Sequence, residues 1–509
     1  MSSMAEKQWF GHPRGLATLF FTEMWERLGF YGMRALLLLF LVASIENGGL
    51  GFTDATGGAI YGLYTATVYL MSLPGGWIAD RLIGQRNAVF WGGVIISAGY
   101  LTLGLPIVPG LGGDLKAPIF FAGLALVAFG TGLLKPNVSA VVGQLYSAED
   151  QRRDAGFSVF YMGINVGAFF GPIICGYLGE RVDWHLGFGF AGLGMIVGLI
   201  QYKLGQGYLG NAGLQATDSA ALTERKRDWT RFWAASGAII GTVVVLYLLS
   251  GTLGLTIEKA AQLMGYVIGG IGVFYFLYVL AFGKLTPQER NRVIVIFLLF
   301  IGAAMFWAGF EQAGSALNLF ADRYTDRVIF GWEIPTTWLQ SVNAIFIIIF
   351  APVAGWIWVT LAAKKKDPSI PFKFGLGLTL LGAGFLVLAW GSTFLQGEAA
   401  RVGLHWLVVT YLLHTFGELC LSPVGLSSVT KLSPARFVGQ MMGIWFLGSS
   451  LGNLIAGLVG GQLEAMPMPE LFGMVALIVI VAGSLFLIFT PLIKKLIGDL
   501  SKQSPVGGH

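Results

Sequence analysis

The sequence predicts an all-α polytopic membrane protein, and three observations lead there. Apolar runs of spanning length recur along all 509 residues, and a membrane-crossing helix needs about 20 such residues. Hydrophobic residues make up 55% of the chain and charged residues 12%, which excludes an ordinary soluble domain. The runs are continuous rather than alternating, the pattern of helices and not of a β-barrel.

In order, the runs place spans at 15–45, 55–80, 87–107, 117–146, 155–179, 186–204, 230–250, 262–282, 290–320, 335–361, 371–394, 403–430, 437–462 and 470–493. The distribution of basic residues supports that series. With the amino terminus in the cytoplasm, Arg81, Arg86, Arg152, Arg153, the Arg225–Lys226–Arg227 cluster, Arg290, Arg292 and Lys364–Lys366 all fall inside. The outside loops keep only Lys116, Arg181, Lys259, Arg323, Arg327 and Arg401. An odd number of spans would scramble this bias, so 14 transmembrane helices with both termini cytoplasmic are expected. Residues 205–229 form the longest polar connection, and the two spans after it have no ionisable interior residue. The expected domains are therefore an N-terminal six-helix bundle (1–204), a cytoplasmic linker with two inserted transmembrane helices (205–289), and a C-terminal six-helix bundle with a short cytoplasmic tail (290–509). The 74 glycines suit closely packed spans.

The net charge of +5 follows from cytoplasmic loops facing anionic lipid, not from nucleic-acid binding. Cys175 and Cys420 lie in apolar runs, and their position gives only weak support for a disulfide. Polar residues 1–14 precede the first run and no small-residue cleavage site follows it, which argues against a removable signal peptide.

The first span carries the sharpest signal. At about 100° per residue, Glu23, Glu26, Arg27, Tyr31 and Arg34 share one face within an arc of about 140°. A charge near the bilayer centre costs about 3 kcal/mol on insertion scales, so this stripe must line a wet or paired interior. Lys135 adds a third buried base, in Gly130-Thr-Gly-Leu-Leu-Lys135-Pro136-Asn137, where Pro136 opens the backbone ladder. Glu311, in Phe306-Trp307-Ala-Gly-Phe310-Glu311-Gln312, and Glu418, in Phe416-Gly-Glu418-Leu-Cys-Leu-Ser422-Pro423, add two acids. Four acids against three bases leave an excess negative charge that one bound proton would neutralise. Structural ion pairing that merely holds helices together is the competing reading. Asn165 and Asn343 are single amides in apolar spans, and Trp307, Phe310 and Trp445 could be plain core residues. His405 and His414 read as packed rather than proton-carrying. No zinc-ligand spacing, nucleophile elbow or phosphate loop appears, so an enzyme is not expected.

Together these stretches resemble the proton-dependent oligopeptide transporter family of the major facilitator superfamily, over essentially the whole chain. Glu23-Met-Trp-Glu26-Arg27-Leu28-Gly-Phe30-Tyr31 is similar to the family's Glu-x-x-Glu-Arg-Phe-x-Tyr-Tyr motif, with Leu28 for Phe and Phe30 for the first Tyr. Gly75-Gly76-Trp-Ile-Ala-Asp80-Arg81-Leu-Ile-Gly84 resembles the signature after the second span, and Phe157-Ser-Val-Phe-Tyr161-Met-Gly-Ile-Asn165-Val-Gly-Ala-Phe the signature in the fifth. The plain helix pair resembles the insertion of bacterial members.

The resemblance implies a major facilitator fold working by alternating access in the cell inner membrane. It implies Arg27, Tyr31, Tyr69 and Lys135 at the amino-terminal half of a peptide site, and Asn165, Asn343, Glu418 and Ser422 around the peptide's ammonium end. Trp307, Phe310 and Trp445 would form side-chain pockets. Glu23, Glu26 and Arg27 would couple protons, and Arg34 with Glu311 would form a switching ion pair. The partners implied are di- and tripeptides, protons and lipid, with no cofactor beyond the coupling proton, no nucleic acid and no obligate protein partner. A short peptide is a zwitterion, so cations at one end and a carboxylate at the other suit it. The alternatives are a carrier for another anionic solute such as nitrate, for which Glu418 is hard to explain, and a receptor or scaffold that lost transport.

Overall fold

A computed structural model of the chain describes residues 8–147, 150, 152–214, 219–397 and 400–498. Nearly all of it is helix. The helices are α1 (Gly15–Val42), α2 (Asp54–Leu70), α3 (Ser72–Ile78), α4 (Gln85–Gly104), α5 (Lys116–Gln144), α6 (Arg153–Arg181), α7 (Trp184–Gly205), α8 (Ser219–Leu253), α9 (Ile257–Phe282), α10 (Pro287–Phe310), α11 (Ala316–Tyr324), α12 (Ser341–Ala363), α13 (Ile370–Ser392), α14 (His405–Leu432), α15 (Val438–Gly460), α16 (Met468–Ile488) and α17 (Thr490–Ile497). The strands among the described residues are two-residue pairings in loops. Among those residues, 12 helical segments are long and apolar enough to cross a membrane. Helix α1 is not one of them: its length suffices, but Glu23, Glu26, Arg27 and Arg34 interrupt its apolar surface. Residues 1–7 and the tail from 499, both expected in the cytoplasm, lie outside the described residues.

The chain forms two compact units. The first comprises Met1–Phe40, Ser44–Leu50 and Thr67–Ala260. Within it α4 packs along α5 and α7, α6 along α7, and α3 along α5. Pro136 has no N–H to give the Gly132 carbonyl, one turn back in α5. That carbonyl lies so close to Gly75 that a Cβ there would fall 1.9 Å from its oxygen, which is why the signature stretch has a glycine at this position. The signature then leaves α3 through a π-helical turn, Ala79–Ile83, and Gly84 follows at φ 82°, in a conformation that favours glycine.

The second unit comprises Leu41–Ala43, Gly51–Ala66 and Ala261–His509. In it α13 packs on α14 and α16, α10 on α15, and α12 on α14. Most of α2, Asp54 to Ala66, belongs here. Gly58 and Gly62 meet the backbone of α15 at Gly457 and Leu454, and Ser450 Oγ donates to the Ala66 carbonyl at 2.9 Å. Asp54, at the first turn of α2, takes a two-pronged pair of bonds from Arg323 at 2.7 Å each.

Two stretches differ from expectation. The run 290–320 is not one helix: α10 stops at Phe310, a tight 3-10 turn covers Glu311–Gly314, and α11 restarts at Ala316. The break itself carries Glu311, Gln312 and Ser315, but apolar stretches flank it on both sides, so hydropathy averaged over a span runs through it. The connection expected over 205–229 is helical from Ser219. One of its acids, Asp228, 2% exposed, lies 3.8 Å from Arg81 and 3.1 Å from Arg231. Trp229 and Phe232 pack against Ile78 and Leu82 beside the π-turn. Cys175 and Cys420 are both buried free thiols, not a disulfide.

Candidate functional site

Helical geometry puts residues three and four apart on one strip of surface, so Glu23, Glu26 and Arg27 meet. Arg27 Nε donates to Glu23 Oε1 at 2.8 Å and lies 2.6 Å from Glu26 Oε2. All three side chains are almost wholly buried, Glu26 completely. One guanidinium thus serves two carboxylates where water cannot screen their mutual repulsion. Lys135, from α5, also acts electrostatically on Glu26. Its ammonium stands 4.0 Å from the centre of the Tyr69 ring. Arg34 lies over Tyr31 at 4.9 Å and Arg27 over Phe30 at 5.4 Å. Phe30 therefore keeps a ring face against the guanidinium although it lacks a hydroxyl.

Helix α6 sets where this group sits. Gly163, Gly167 and Gly171 recur every fourth residue and face α1. A Cβ on Gly167 would fall 2.4 Å from the Met24 carbonyl oxygen and 2.7 Å from Arg27 Cβ. Asn165, on the same helix, directs its Nδ2 to the Tyr161 carbonyl at 3.0 Å, a bond internal to α6.

In the second unit, Asn343 Nδ2 donates to Thr415 Oγ1 at 2.9 Å and to Glu418 Oε2 at 3.3 Å. Thr415 and Glu418 lie one turn apart on α14, and Ser422 follows one turn later, half-buried ahead of Pro423. Glu311 is buried at the first residue of the 3-10 turn. Trp307 and Phe310 meet edge to face at 5.5 Å, and Phe306 stacks on Phe310 at 5.6 Å. Trp445 packs over Gly425 and edge-on to Phe374 at 6.3 Å. His414 is buried against Phe385 at 4.8 Å. The predicted residues therefore gather into an acid–base group with Lys135 and Tyr69 in the first unit and an Asn343–Glu418 pair in the second.

Thr415 is the contact that sequence reasoning missed, and its spacing from Glu418 was the available signal. The Asp54–Arg323 pair was missed as well, because Arg323 read as an ordinary loop cation. No group of three or more His, Cys, Asp or Glu side chains placed to hold a metal ion occurs among the described residues.

The sequence model described as the POT family matches residues 86–472. A peptide transporter of Yersinia enterocolitica is 40% identical over 506 residues, covering 98% of each chain. A di-/tripeptide transporter of Lactococcus lactis is 36% identical over 503 residues, covering 97% of this chain and 98% of the relative. The crystal structure of a peptide transporter of this family in complex with sulfate superposes with a TM-score of 0.88 at 40% identity, covering 97% of this chain and 98% of the other. With its matching sequence model, full-length relatives and shared fold, the chain belongs to the POT family, a family of membrane transporters and not of enzymes.

Proposed function

We propose that the chain is a proton-coupled symporter that imports di- and tripeptides by alternating access. The observation that carries this reading is the buried Arg27 shared by Glu23 and Glu26. Two acids on one base, out of reach of water, give a carboxylate reason to take up and release a proton. Cotransport of one charge supplies about 2.3 kcal/mol per 100 mV of membrane potential. Arg27 and Lys135, with Tyr31 and Tyr69, would receive the peptide carboxylate. Asn165, Asn343, Glu418 and Ser422 would receive the ammonium end and nearby backbone, and Trp307, Phe310 and Trp445 its side chains. Arg34 and Glu311 would exchange partners during the cycle. The names of the relatives point to the same cargo class.

The finer topology belongs to the same proposal. Helices α1 and α2–α3 join the 12 apolar segments to give 14 spans, grouped six, two and six, with both termini cytoplasmic and the protein in the inner membrane. Protons are the only coupling species, and no cofactor or obligate protein partner is needed.

Uptake of labelled dipeptide into proteoliposomes under an imposed pH gradient tests the reading. Gradient-driven accumulation, abolished in Glu23→Gln and Glu26→Gln while counterflow exchange partly survives, supports it. Competition by nitrate in place of peptide would favour the anion carrier, and silence across a broad dipeptide panel would favour a scaffold. Equal loss of counterflow and driven uptake would remove the coupling role of the two glutamates.

A further inference from the structure

We propose that the second unit carries, where α13, α14 and α17 converge, a site for a phosphate-bearing anion, either the headgroup of an anionic phospholipid or free phosphate. A cavity of about 490 Å³ is lined there by Asp367, Ser369, Lys373, Ser427, Lys431 and Lys494, among others. Three ammonium groups border it against one carboxylate. Lys373 and Asp367 answer one another at 2.8 Å, and the Lys373 ammonium also lies 4.7 Å over the Trp358 ring. Lys431 and Lys494 are exposed, and among the described residues no carboxylate pairs with either. Among the described residues, the cavity therefore keeps positive charge after the one acid that lines it is paired.

Two features convert that excess into a shaped site. The first is the start of α13, a 23-residue helix whose N-cap, Ser369, makes no side-chain capping bond. Ser369 and Ile370 line the cavity, so the positive end of the helix dipole reinforces the lysines. The second is the anchoring of α17. Gln288 and Arg292, from α10, donate to the Ile497 carbonyl at 2.7 and 3.1 Å, while Ile493 and Ile497 are buried. Lys494 is thus presented by a clamped helix, not by a loose tail.

A volume of about 490 Å³ accommodates more than a bare phosphate. Phe372 on α13, Leu492 on α17 and Phe489 just before α17 are exposed apolar side chains on or next to the helices that border it, available to acyl chains. Basic pockets between helices on the cytoplasmic side of a bilayer are suited to anionic headgroups, and the proposed topology places this end there.

The full-length protein, delipidated in a neutral detergent, is followed by thermal unfolding as phosphatidylglycerol, phosphatidylcholine or inorganic phosphate is added. Phosphatidylglycerol is expected to raise the melting temperature and phosphatidylcholine to leave it unchanged. Each of Lys431→Gln and Lys494→Gln should raise the phosphatidylglycerol concentration required by about fivefold, the worth of one lysine near a charged surface. Lys431→Arg and Lys494→Arg should retain the response. The pair Lys364→Gln and Lys366→Gln, on the exposed turn before α13, serves as a control for unspecific attraction and should change nothing. A response to inorganic phosphate equal to that for phosphatidylglycerol, and lost in the same variants, would identify free phosphate as the ligand. No difference between wild type and the Lys431 and Lys494 variants, or an equal loss in the Lys364 and Lys366 control, overturns the proposal. The native protein's gradient-driven peptide uptake is scored separately, so failure of this site and failure of the transport reading are distinguishable.

Discussion

Arg27 is held by two carboxylates within one helical turn, so its removal has a specific cost. Breaking a buried ion pair from one side leaves an uncompensated charge and costs about 3–5 kcal/mol. Arg27→Ala is expected to unfold at markedly lower temperature, and adding Glu23→Gln and Glu26→Gln should restore part of the loss. Glu418 makes a different prediction. A hydrogen bond to a charged group contributes about 1.5–3 kcal/mol, so Glu418→Gln should weaken binding of peptides with a free amino end about tenfold to a hundredfold. N-acetylated peptides should bind wild type and variant alike; an equal loss for both would remove Glu418 from the ammonium site. The Glu23–Glu26–Arg27 group was legible because α-helical spacing alone fixes which residues share a face. Thr415 was not singled out: its spacing one turn from Glu418 is readable in the sequence, but a hydroxyl in an apolar span gains meaning only once Asn343 is seen to reach it. The Asn165 bond to its own helix was equally invisible, because sequence does not tell which way an amide turns.

Close approach of α6 to α1 depends on glycine. An added methyl at Gly167 meets the Met24 carbonyl, which is backbone and cannot swing aside, and the Arg27 Cβ. Gly167→Ala is expected to cost about 1–3 kcal/mol of stability and, by displacing Arg27, to depress uptake more than it depresses the amount of folded protein. Gly439→Ala, on α15 with nothing within 4 Å of the added carbon, should do neither; the ratio of uptake to folded protein checks both. The existence of each long helix was readable from hydropathy, because burial in lipid demands about 20 apolar residues in a row. Where a helix is interrupted or extended was not. The 3-10 turn at Glu311–Gly314 carries Glu311 and Gln312 between two apolar stretches that a hydropathy average joins into one. The helix ahead of Trp229 carries Asp228 to within 3.8 Å of Arg81, a contact distant in sequence that hydropathy does not report.

For the whole molecule, the proposed orientation rests on the placement of basic residues, and it can be checked directly. Cys175 and Cys420 are buried, so a single introduced cysteine reports against a quiet background. Asp326→Cys should react with an impermeant maleimide in intact cells, whereas Lys365→Cys should react only after permeabilisation; the reverse pattern would invert the topology. Fourteen spans are expected from the apolar runs, α1 among them, and the charge bias supports that series. The ionisable stripe of α1 is what sets it apart from the 12 plainly apolar segments. Finally, the interruption after α10 has a mechanical meaning. Ser315 is fastened to α15 through its hydroxyl on the Ala456 carbonyl at 2.7 Å, and the turn ahead of it, which begins at Glu311, lacks the regular ladder that stiffens a rod. That fastening makes a pivot, so a small swing of α10 re-aims the Glu311 carboxylate without dragging α11 along. Amide hydrogens at 311–315 should exchange with deuterium faster than those of either flanking helix; uniform protection across the three segments would mean that the joint is rigid.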